Sequence, residues 1–443
     1  MTQGSPTRAI RVLAADDSNT MRSLLKILFQ LHAEDTASSL PRMELCGSVA
    51  DGAACLEAVA QLKPDVLLLD FEMPGLHGLG VLTRLKTEAP RLPVIMCSAY
   101  TERGAQATLD ALSLGAKDYV MKPSQQRDVA SAIDQLAEQL LPKIAALASP
   151  QHIVPLALRK IGAPRATIAP TGSPWRITSA AAATACPIAT PAQRVNCSPE
   201  IAHSCVDRYD RTGTSVCTLA TAPRILEPLL QRGEPHRVEI VVIGVSTGGP
   251  SALESILPML PGDLAVPILI VQHMPKLFTG ALAERLDRLC ALPVAEAREG
   301  DRIGGRGIWI APGDEHMEVV RAGGQRGPGV LRLHHGAALN SCRPSVDHLF
   351  RSASLAYGAG VLGIMMTGMG GDGFAGSVAV HKAGGTVIAQ DEATSAVWGM
   401  PGRVSRAGIA AATLPLREIA RDLVQRVSAT DTVDKTGRRH GLL

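Results

Sequence analysis

The sequence lacks three features that would indicate particular classes of protein. No segment approaches the roughly 20 apolar residues that a membrane-spanning helix needs, and the N-terminus has no apolar signal region. The net charge of +3 is small for 443 residues. Residues 238–427 also lack a basic stripe and a helix-turn-helix pattern. We therefore expect a cytoplasmic protein without membrane insertion that does not bind nucleic acid.

The sequence also lacks a regular pattern of cysteines and has few aromatic residues. The nine cysteines are odd in number and scattered, which favours reduced thiols over a disulfide framework. Four of them (Cys186, Cys197, Cys205 and Cys217) lie near His203, but their spacing matches no CxxC pattern, so we favour free thiols over a zinc site. Aromatic residues make up only 3%, yet a hydrophobic content of 46% is ample for sizeable cores.

Composition divides the chain into four predicted segments. Residues 1–140 and 238–427 each alternate strand and helix patterns, which indicates α/β domains built as doubly wound parallel sheets. Residues 141–237 are rich in Pro, Ala, Ser and Thr, and no apolar face persists there beyond a turn or two. We predict a long flexible linker with a root-mean-square span of roughly 50 Å. Residues 428–443 are predicted to be a loose tail.

Polar residues follow the predicted strands of the first domain. Those strands cover residues 10–15, 66–69, 94–97 and 119–121. The residues after them are Asp16, Asp17, Asp70, Ser98 and Lys122. In a parallel sheet these strand ends share one edge, and three carboxylates gathered there would repel one another unless a cation such as Mg²⁺ lay among them. With the ammonium facing an anion, this set suits phosphoryl transfer to Asp70.

The second domain opens with a buried strand, Ile240–Ile243, followed by a glycine turn and a helix that begins near Pro250. The turn, GVSTG over Gly244–Gly248, fits the G-x-S-x-G elbow, which predicts a strained backbone that exposes the Ser246 hydroxyl. Glycine-rich turns also bind phosphate, but the spacing fits neither GxGxxG nor a P-loop. The motif alone is ambiguous.

Two further polar residues follow other predicted strands of this domain. His273 comes after residues 267–272, and Asp372 lies in the glycine-rich segment after residues 361–366. Meeting at one sheet edge, Ser246, His273 and Asp372 would supply a nucleophile, a base and an orienting carboxylate. His316 is the second choice for the base, and Asp372 among glycines could instead only fix a turn.

The first domain resembles the receiver domain of two-component response regulators, which has a flavodoxin-like fold. The resemblance rests on the pair Asp16-Asp17, on Asp70 followed by EMPG, on Ser98-Ala99 and on Lys122-Pro123. It implies that Asp70 is the phospho-acceptor, that Asp16, Asp17 and Asp70 bind Mg²⁺, and that Ser98, Tyr119 and Lys122 are switch residues. His77 departs from the family, which often has an acidic residue there.

The second domain resembles the protein-glutamate methylesterase of bacterial chemotaxis, a Rossmann-like domain that also deamidates glutamine. The motifs are GVSTGGP, QHMP, IAPG with His316-Met317, RPSVD and TGMGGDG. The resemblance implies a Ser246, His273 and Asp372 triad, an oxyanion site at the backbone of Thr247 and Met369, and no cofactor for the esterase reaction. It further implies a methyl-accepting chemoreceptor as substrate and a chemotaxis histidine kinase as phosphodonor. The unphosphorylated receiver is expected to cover the active-site cleft.

Two other interpretations remain open at this point. The second domain could be a response-regulator output domain that binds a partner without catalysis, which Ser246→Ala with unchanged biological output would favour. It could also be a serine hydrolase of another ester or amide, which only the choice of substrate distinguishes.

Overall fold

The structure is a computed structural model that describes residues 8–123, 128–148, 237–323 and 327–437, with the backbone alone for residues 429–437. Most of the predicted linker lies outside these residues, together with His203 and its four neighbouring cysteines. Two α/β domains are described, the first from residue 8 to 148 and the second from residue 237 to 437. No helix of the described part has both the length and the apolar character needed to cross a membrane.

The first domain is a five-stranded parallel sheet covered by helices. Its strands are β1 (Ile10–Ala15), β2 (Met43–Val49), β3 (Val66–Asp70), β4 (Val94–Ser98) and β5 (Asp118–Met121). They lie in the order β2-β1-β3-β4-β5. Its helices are α1 (Asn19–Glu34), α2 (Gly52–Leu62), α3 (Gly78–Glu88), α4 (Glu102–Leu114) and α5 (Val129–Ala148). The predicted doubly wound fold is thereby confirmed for this half.

Local sequence explains where these elements begin. Ser18 caps α1 by accepting a hydrogen bond from the Met21 amide, as serine commonly does before a helix. Strands β1, β3 and β4 are almost wholly buried, because helices cover both faces of the sheet. Strand β2 was not predicted, since its half-exposed edge position gives it a mixed pattern instead of an apolar run.

The second domain is built on a seven-stranded parallel sheet. Its strands are β6 (Ile240–Val245), β7 (Pro267–Gln272), β8 (Val294–Glu296), β10 (Gly307–Ile310), β13 (Val361–Met365), β14 (Thr386–Gln390) and β15 (Ala412–Leu414). The order is β15-β14-β13-β6-β7-β10-β8. Its helices are α6 (Gly249–Ile256), α7 (Lys276–Leu289), α8 (Val346–Tyr357), α9 (Phe374–Lys382), α10 (Met400–Arg406) and α11 (Leu416–Gly437).

A small antiparallel sheet packs beside the large one. It consists of β9 (Arg302–Ile303), β11 (His316–Arg321) and β12 (Gly329–His334) in the order β11-β12-β9. Strands β11 and β12 form a hairpin, with His316 opposite His334 in the register. Met317, Val319 and Leu331 are buried against α8, so the hairpin belongs to the core of the second domain.

The ends of two helices differ from the predicted segment boundaries. Helix α5 runs to Ala148, because the buried Ile144 and Ala145 continue its apolar stripe beyond residue 140. Helix α11 runs to Gly437 through the predicted loose tail, because no glycine or proline occurs between Ser428 and Gly437 to end it. Both helices therefore continue past the predicted segment boundaries at residues 140 and 427.

Candidate functional site

The turn after β6 places Ser246 at the carboxyl edge of the large sheet, between the ends of β13 and β7. Gly248 supplies the left-handed residue of this turn, with φ of 77°, and a side chain there would collide with Ala396. Ser246 is not among the non-glycine residues of the described chain that have a positive φ. The expected strain at the serine is therefore wrong: the glycine makes the sharp turn.

Close packing joins this turn to the loop after β13. The Ser246 amide donates to the Thr367 carbonyl at 3.0 Å, and the Thr367 hydroxyl donates to the Thr247 carbonyl at 2.9 Å. A Cβ atom on Gly368 would lie 2.8 Å from the Ser246 Cβ, so only glycine permits this approach. The TGMGGDG segment thus holds the serine turn as well as carrying Asp372.

His273 follows the neighbouring strand β7. The side-chain amide of Gln272 donates to the carbonyl oxygens of both Ser246 and His273, at 3.1 and 3.3 Å, and so links the two strand ends. The Nε2 atom of His273 lies 2.9 Å from Asp372 Oδ2. The structure therefore brings the three predicted triad residues to the ends of three adjacent strands.

Asp372 is held by an unusually complete set of donors. Its carboxylate accepts hydrogen bonds from Ser345 Oγ at 2.7 Å, Val346 N at 2.7 Å, Asp347 N at 3.3 Å and Asn340 Nδ2 at 3.2 Å, in addition to His273. Burial by itself would raise the pKa of Asp372, but the hydrogen bond and charge of His273 and the other donors lower it to about 2. The group is a fixed anion.

The other imidazole nitrogen of His273 faces a thiol. Cys342 Sγ lies 3.7 Å from His273 Nδ1. Burial lowers the pKa of His273, but its interactions with Cys342 and with Asp372 outweigh burial and raise that pKa to about 10. Cys342 is thus an electrostatic partner of the predicted base.

Ser246 keeps a free hydroxyl in this arrangement. Among the described residues, none forms a hydrogen bond with Ser246 Oγ. The backbone N–H groups of Thr247 and Met369 likewise donate to no backbone carbonyl in the described ranges. A free hydroxyl and unused amide donors, at the end of the strand next to the one that His273 follows, are groups that acyl transfer requires.

His316, the second choice for the base, has a different environment. It is fully buried, its Nε2 lies 3.1 Å from the Ala337 carbonyl, and its Nδ1 accepts a hydrogen bond from the Ser345 amide. Both of its nitrogens therefore have backbone partners, and in the described residues it forms no hydrogen bond with Asp372. The surroundings of His273 fit the role of base better.

The predicted phosphorylation site lies at the carboxyl edge of the first sheet. Lys122 Nζ lies 2.9 Å from Asp16 Oδ2 and 2.8 Å from Asp70 Oδ1. Burial chiefly, with Asp16 nearby, raises the pKa of Asp70 to about 6, although Lys122 opposes the shift. The buried Asp70 carboxylate is therefore only partly stabilised.

The carboxylates of this site fit a hard cation. Asp16, Asp17 and Asp70 each place an oxygen within 4.8 Å of the others. Asp16 Oδ2 is buried and lacks a directed hydrogen bond, although it is in ionic contact with Lys122. Its lone pairs remain available, and oxygen ligands of this kind suit Mg²⁺.

The predicted switch residues lie in different surroundings. Ser98 Oγ accepts a hydrogen bond from Thr108 Oγ1 at 2.8 Å, so it points toward α4 and makes no bond with Asp70 in the described chain. Tyr119 is buried, and its ring stacks on Phe278 of α7 with centroids 4.9 Å apart and an interplanar angle of 5°. Of the three, Lys122 alone contacts Asp70.

The Tyr119 stack belongs to a contact between the two domains that the sequence did not reveal. Thr247 Oγ1, next to Ser246, donates to Asp118 Oδ2 at 2.7 Å. Arg285 of α7 pairs with Asp110 of α4 at 2.5 Å. The first domain therefore directly contacts the residue that follows the predicted nucleophile.

Sequence reasoning also missed the turn at residues 339–342. Asn340 and Ser341 have φ of 53° and 62°, and Leu339 and Cys342 pair across them as in a tight hairpin. This turn presents Asn340 to Asp372 and Cys342 to His273. The only local signal was its position directly before the RPSVD motif, whose Ser345 and Val346 bind Asp372.

Two protein-family models match the chain. Residues 12–134 match the response regulator receiver domain, and residues 241–423 match the CheB methylesterase. The matches fall on the two observed parallel-sheet domains. Both resemblances stated from the motifs are therefore confirmed.

Similar proteins cover almost the whole chain. One from Trichodesmium erythraeum, named protein-glutamate methylesterase/protein-glutamine glutaminase, is 37% identical over 94% of this chain and 99% of its own. Another with that name from a Nocardioides species is 38% identical over 95% and 96%. The solved methylesterase catalytic domain of Thermotoga maritima CheB is 40% identical, covers 43% of this chain and 99% of its own, and has a TM-score of 0.41.

Proposed function

Because the chain belongs to the family of protein-glutamate methylesterases/protein-glutamine glutaminases, we propose that it hydrolyses glutamate methyl esters and glutamine carboxamides in chemoreceptors. The observation that carries this proposal is the hydrogen bond between His273 and the buried Asp372, made at the strand end beside Ser246. The methyl-accepting chemoreceptor's cytoplasmic region is the substrate, and the enzyme acts in the cytoplasm.

In the proposed reaction Ser246 attacks the γ-carbonyl carbon of the substrate side chain. Since Nε2 of His273 is bonded to Asp372, Nδ1 takes the serine proton, exchanging its contact with Cys342 for one with Ser246 Oγ. The backbone N–H groups of Thr247 and Met369 donate hydrogen bonds to the developing oxyanion, and one such donor contributes about 2.7–4 kcal/mol. His273 then protonates the leaving group, which departs as methanol from the ester or as ammonia from glutamine. Water hydrolyses the bond to Ser246 and releases glutamate.

Residues of the first domain carry the proposed phosphorylation. Asp70 attacks the phosphoryl group supplied by a histidine kinase, and Lys122 neutralises charge on the phosphoryl oxygens. Asp16, Asp17 and Asp70 would hold Mg²⁺, which offsets negative charge during the transfer. The ester hydrolysis needs no metal.

Methanol release from a methylated chemoreceptor fragment tests the catalytic proposal. We expect the purified full chain to release methanol, and a small phosphodonor with Mg²⁺ to increase the rate. Ser246→Ala should abolish release, whereas Ser255→Ala, which changes an exposed serine on the helix after that turn, should not. Release that persists in Ser246→Ala, or no release from wild type while Asp70 is phosphorylated, contradicts the proposal.

We also propose that the unphosphorylated first domain inhibits the esterase by holding Thr247. The contacts that support this are Thr247 Oγ1 to Asp118, the Tyr119 stack on Phe278, and the Arg285 ion pair with Asp110. A substrate chain cannot approach the oxyanion amides while β5 and α4 lie against this edge. Phosphorylation at Asp70 is expected to loosen the contact.

Asp118→Ala provides the direct test of this inhibition. Without a phosphodonor it should release methanol faster than the wild type, whereas Asp134→Ala, an exposed carboxylate on α5, should not. Thermal melting should first show that both variants are folded. Equal basal rates of methanol release for the two would then contradict inhibition through Thr247.

A further inference from the structure

A second cluster of polar side chains lies on the second domain and takes no part in the proposed reaction. Glu318 of β11, His334 of β12 and His348 in the first turn of α8 each place one ligand atom within 4.8 Å of the others. Glu318 Oε1 lies 3.0 Å from His348 Nδ1 and 3.5 Å from His334 Nε2. The carboxylate oxygen thus lies between two imidazoles.

These separations are those of ligands around one small cation. Zinc at tetrahedral sites binds nitrogen and oxygen at about 2.0–2.2 Å, which places neighbouring ligand atoms about 3.3–3.6 Å apart. One observed distance, 3.5 Å, falls in this range, and the other, 3.0 Å, is slightly shorter. Two imidazoles and one carboxylate are a known ligand set for zinc that leaves one position open.

His316 packs behind the cluster without joining it. Its ring centroid lies 4.1 Å from that of His348 and 5.1 Å from that of His334. Both of its nitrogens already have backbone partners, so neither is available to bind a cation. The ring supports the cluster by packing and is not a ligand.

The cluster also has access to solvent. A cavity of about 620 Å³ is bordered by Glu318 and His348. About a third of the His334 and Glu318 side chains is exposed, at 36% and 33%. Ions can therefore enter, and water can fill the open coordination position.

We propose that Glu318, His334 and His348 form a binding site for Zn²⁺, completed by water. Zinc binding displaces the ring protons of His334 and His348 that now face Glu318. The Gly336 amide, which donates to His334 Nδ1, gives up this partner as the ring proton moves to Nδ1. Gly336 lies in a half-exposed loop, so water can replace the lost bond.

Bound zinc would link the β11–β12 hairpin to the first turn of α8. The start of α8 also binds Asp372, through Ser345 Oγ and Val346 N. The site therefore stabilises the segment that orients the predicted triad carboxylate, without taking part in its chemistry.

Zinc stoichiometry of the full-length, chelator-treated protein tests the proposal. We expect His348→Ala and Glu318→Gln each to bind one fewer Zn²⁺ per chain than the wild type. His335→Ala is the matched control, because this histidine lies next to His334 and its Nδ1 faces the Asp314 carbonyl instead of the cluster. It should bind as much zinc as the wild type.

Two further measurements distinguish this site from thiol sites and from misfolding. The chain's cysteines, including Cys342 beside His273, can also bind metal, so Co²⁺ is substituted for zinc. The Co²⁺ that wild type binds and Glu318→Gln does not should contribute no thiolate-to-cobalt charge-transfer band to the absorption spectrum. Zinc should raise the melting temperature of wild type and His335→Ala but not of His348→Ala. Equal zinc content in all four proteins, or an equal loss in His335→Ala, overturns the proposal.

Discussion

Two aspartates at the carboxyl edges of two parallel sheets have the same burial and opposite electrostatics. Asp70 is 3% exposed and Asp372 is 2% exposed. The pKa of Asp70 is raised to about 6, whereas that of Asp372 is lowered to about 2. Burial favours the neutral acid in both, so the donors around each carboxylate decide the outcome.

The difference lies in what the fold places around each carboxylate. Asp70 accepts hydrogen bonds from Phe71 N and Lys122 but faces a second carboxylate, Asp16. Asp372 accepts from five groups, three of them at the start of α8. A weakly stabilised anion suits a nucleophile or a metal ligand, whereas a fully bonded anion suits the orientation of a histidine.

Asp372→Asn should have the largest effect on activity. The same change in a Ser-His-Asp triad lowers kcat by about 10⁴-fold, because the histidine is left in the wrong tautomer. Single-turnover methanol release measures the loss. Asp347→Asn changes a neighbouring buried carboxylate that makes no contact with His273, and it should cost far less. Similar losses in both would remove the special role assigned to Asp372.

The same variant should destabilise the second domain. A carboxyl group with a lowered folded-state pKa stabilises the fold above its unfolded pKa of about 3.8, and this contribution is lost as pH falls toward 2. We expect Asp372→Asn to lose roughly 2 kcal/mol at pH 7. Urea denaturation between pH 2.5 and 7 measures this loss, which should shrink toward the acid end.

Asp70→Asn should act in the opposite direction. Between about pH 4 and 6 the folded state holds a proton that the unfolded state has released, so stability falls as pH rises through this range. Removing the acid should stabilise the first domain by roughly 1–3 kcal/mol at pH 7, with little change below pH 4. Urea denaturation over this range is the measurement, in the absence of Mg²⁺. A destabilised Asp70→Asn would break the contrast between the two carboxylates.

Cys342→Ser should sharpen the comparison by lowering the pKa of His273, the side chain that faces Asp372. Without the Cys342 thiol beside it, the pKa of His273 falls, so more of the base is neutral at pH 7. The rise of kcat/KM with pH should move to lower pH by about 1–3 units. Cys290→Ser, which alters a thiol next to α7, should leave the profile unchanged. An unchanged profile in Cys342→Ser would remove the thiol from the charge balance.

Arg285→Gln should have the smallest effect. The Arg285 side chain is 20% exposed and pairs with Asp110 across the two domains and with Glu254 within the second. Ion pairs of this kind contribute about 0.2–1 kcal/mol, so basal methanol release should rise only up to about fivefold. Arg288→Gln, on the same helix, is the control. A rise as large as that of Asp118→Ala would place the inhibition in the ion pairs and not at Thr247.

The sequence predicted the parts of the fold that depend on short apolar runs. Strands β6, β7 and β13 are such runs, and the polar residues after them fall at one edge because parallel strands share it. The edge strand β2 escaped prediction because only one of its residues, Met43, is fully buried. The catalytic roles of Ser246, His273 and Asp372 remain predictions, although the structure places the three together.

The surroundings of these residues could not be predicted. Asn340, Ser345 and Val346 reach Asp372 from 26 to 32 residues away in sequence. Cys342 lies 69 residues from His273, and Thr247 lies 129 residues from Asp118. Such contacts depend on how loops and domains pack, which no local pattern records.

The hydrogen bond from Thr247 to Asp118 joins two domains of one chain, so it does not weaken on dilution. Tethered partners meet at an effective concentration of the order of a millimolar or below, set by the connecting segment. A separated first domain would have to be supplied at a comparable concentration to occupy the same edge. Under the inhibition proposed above, each molecule therefore carries its own tethered inhibitor, and the fraction of uninhibited enzyme does not depend on the total protein concentration.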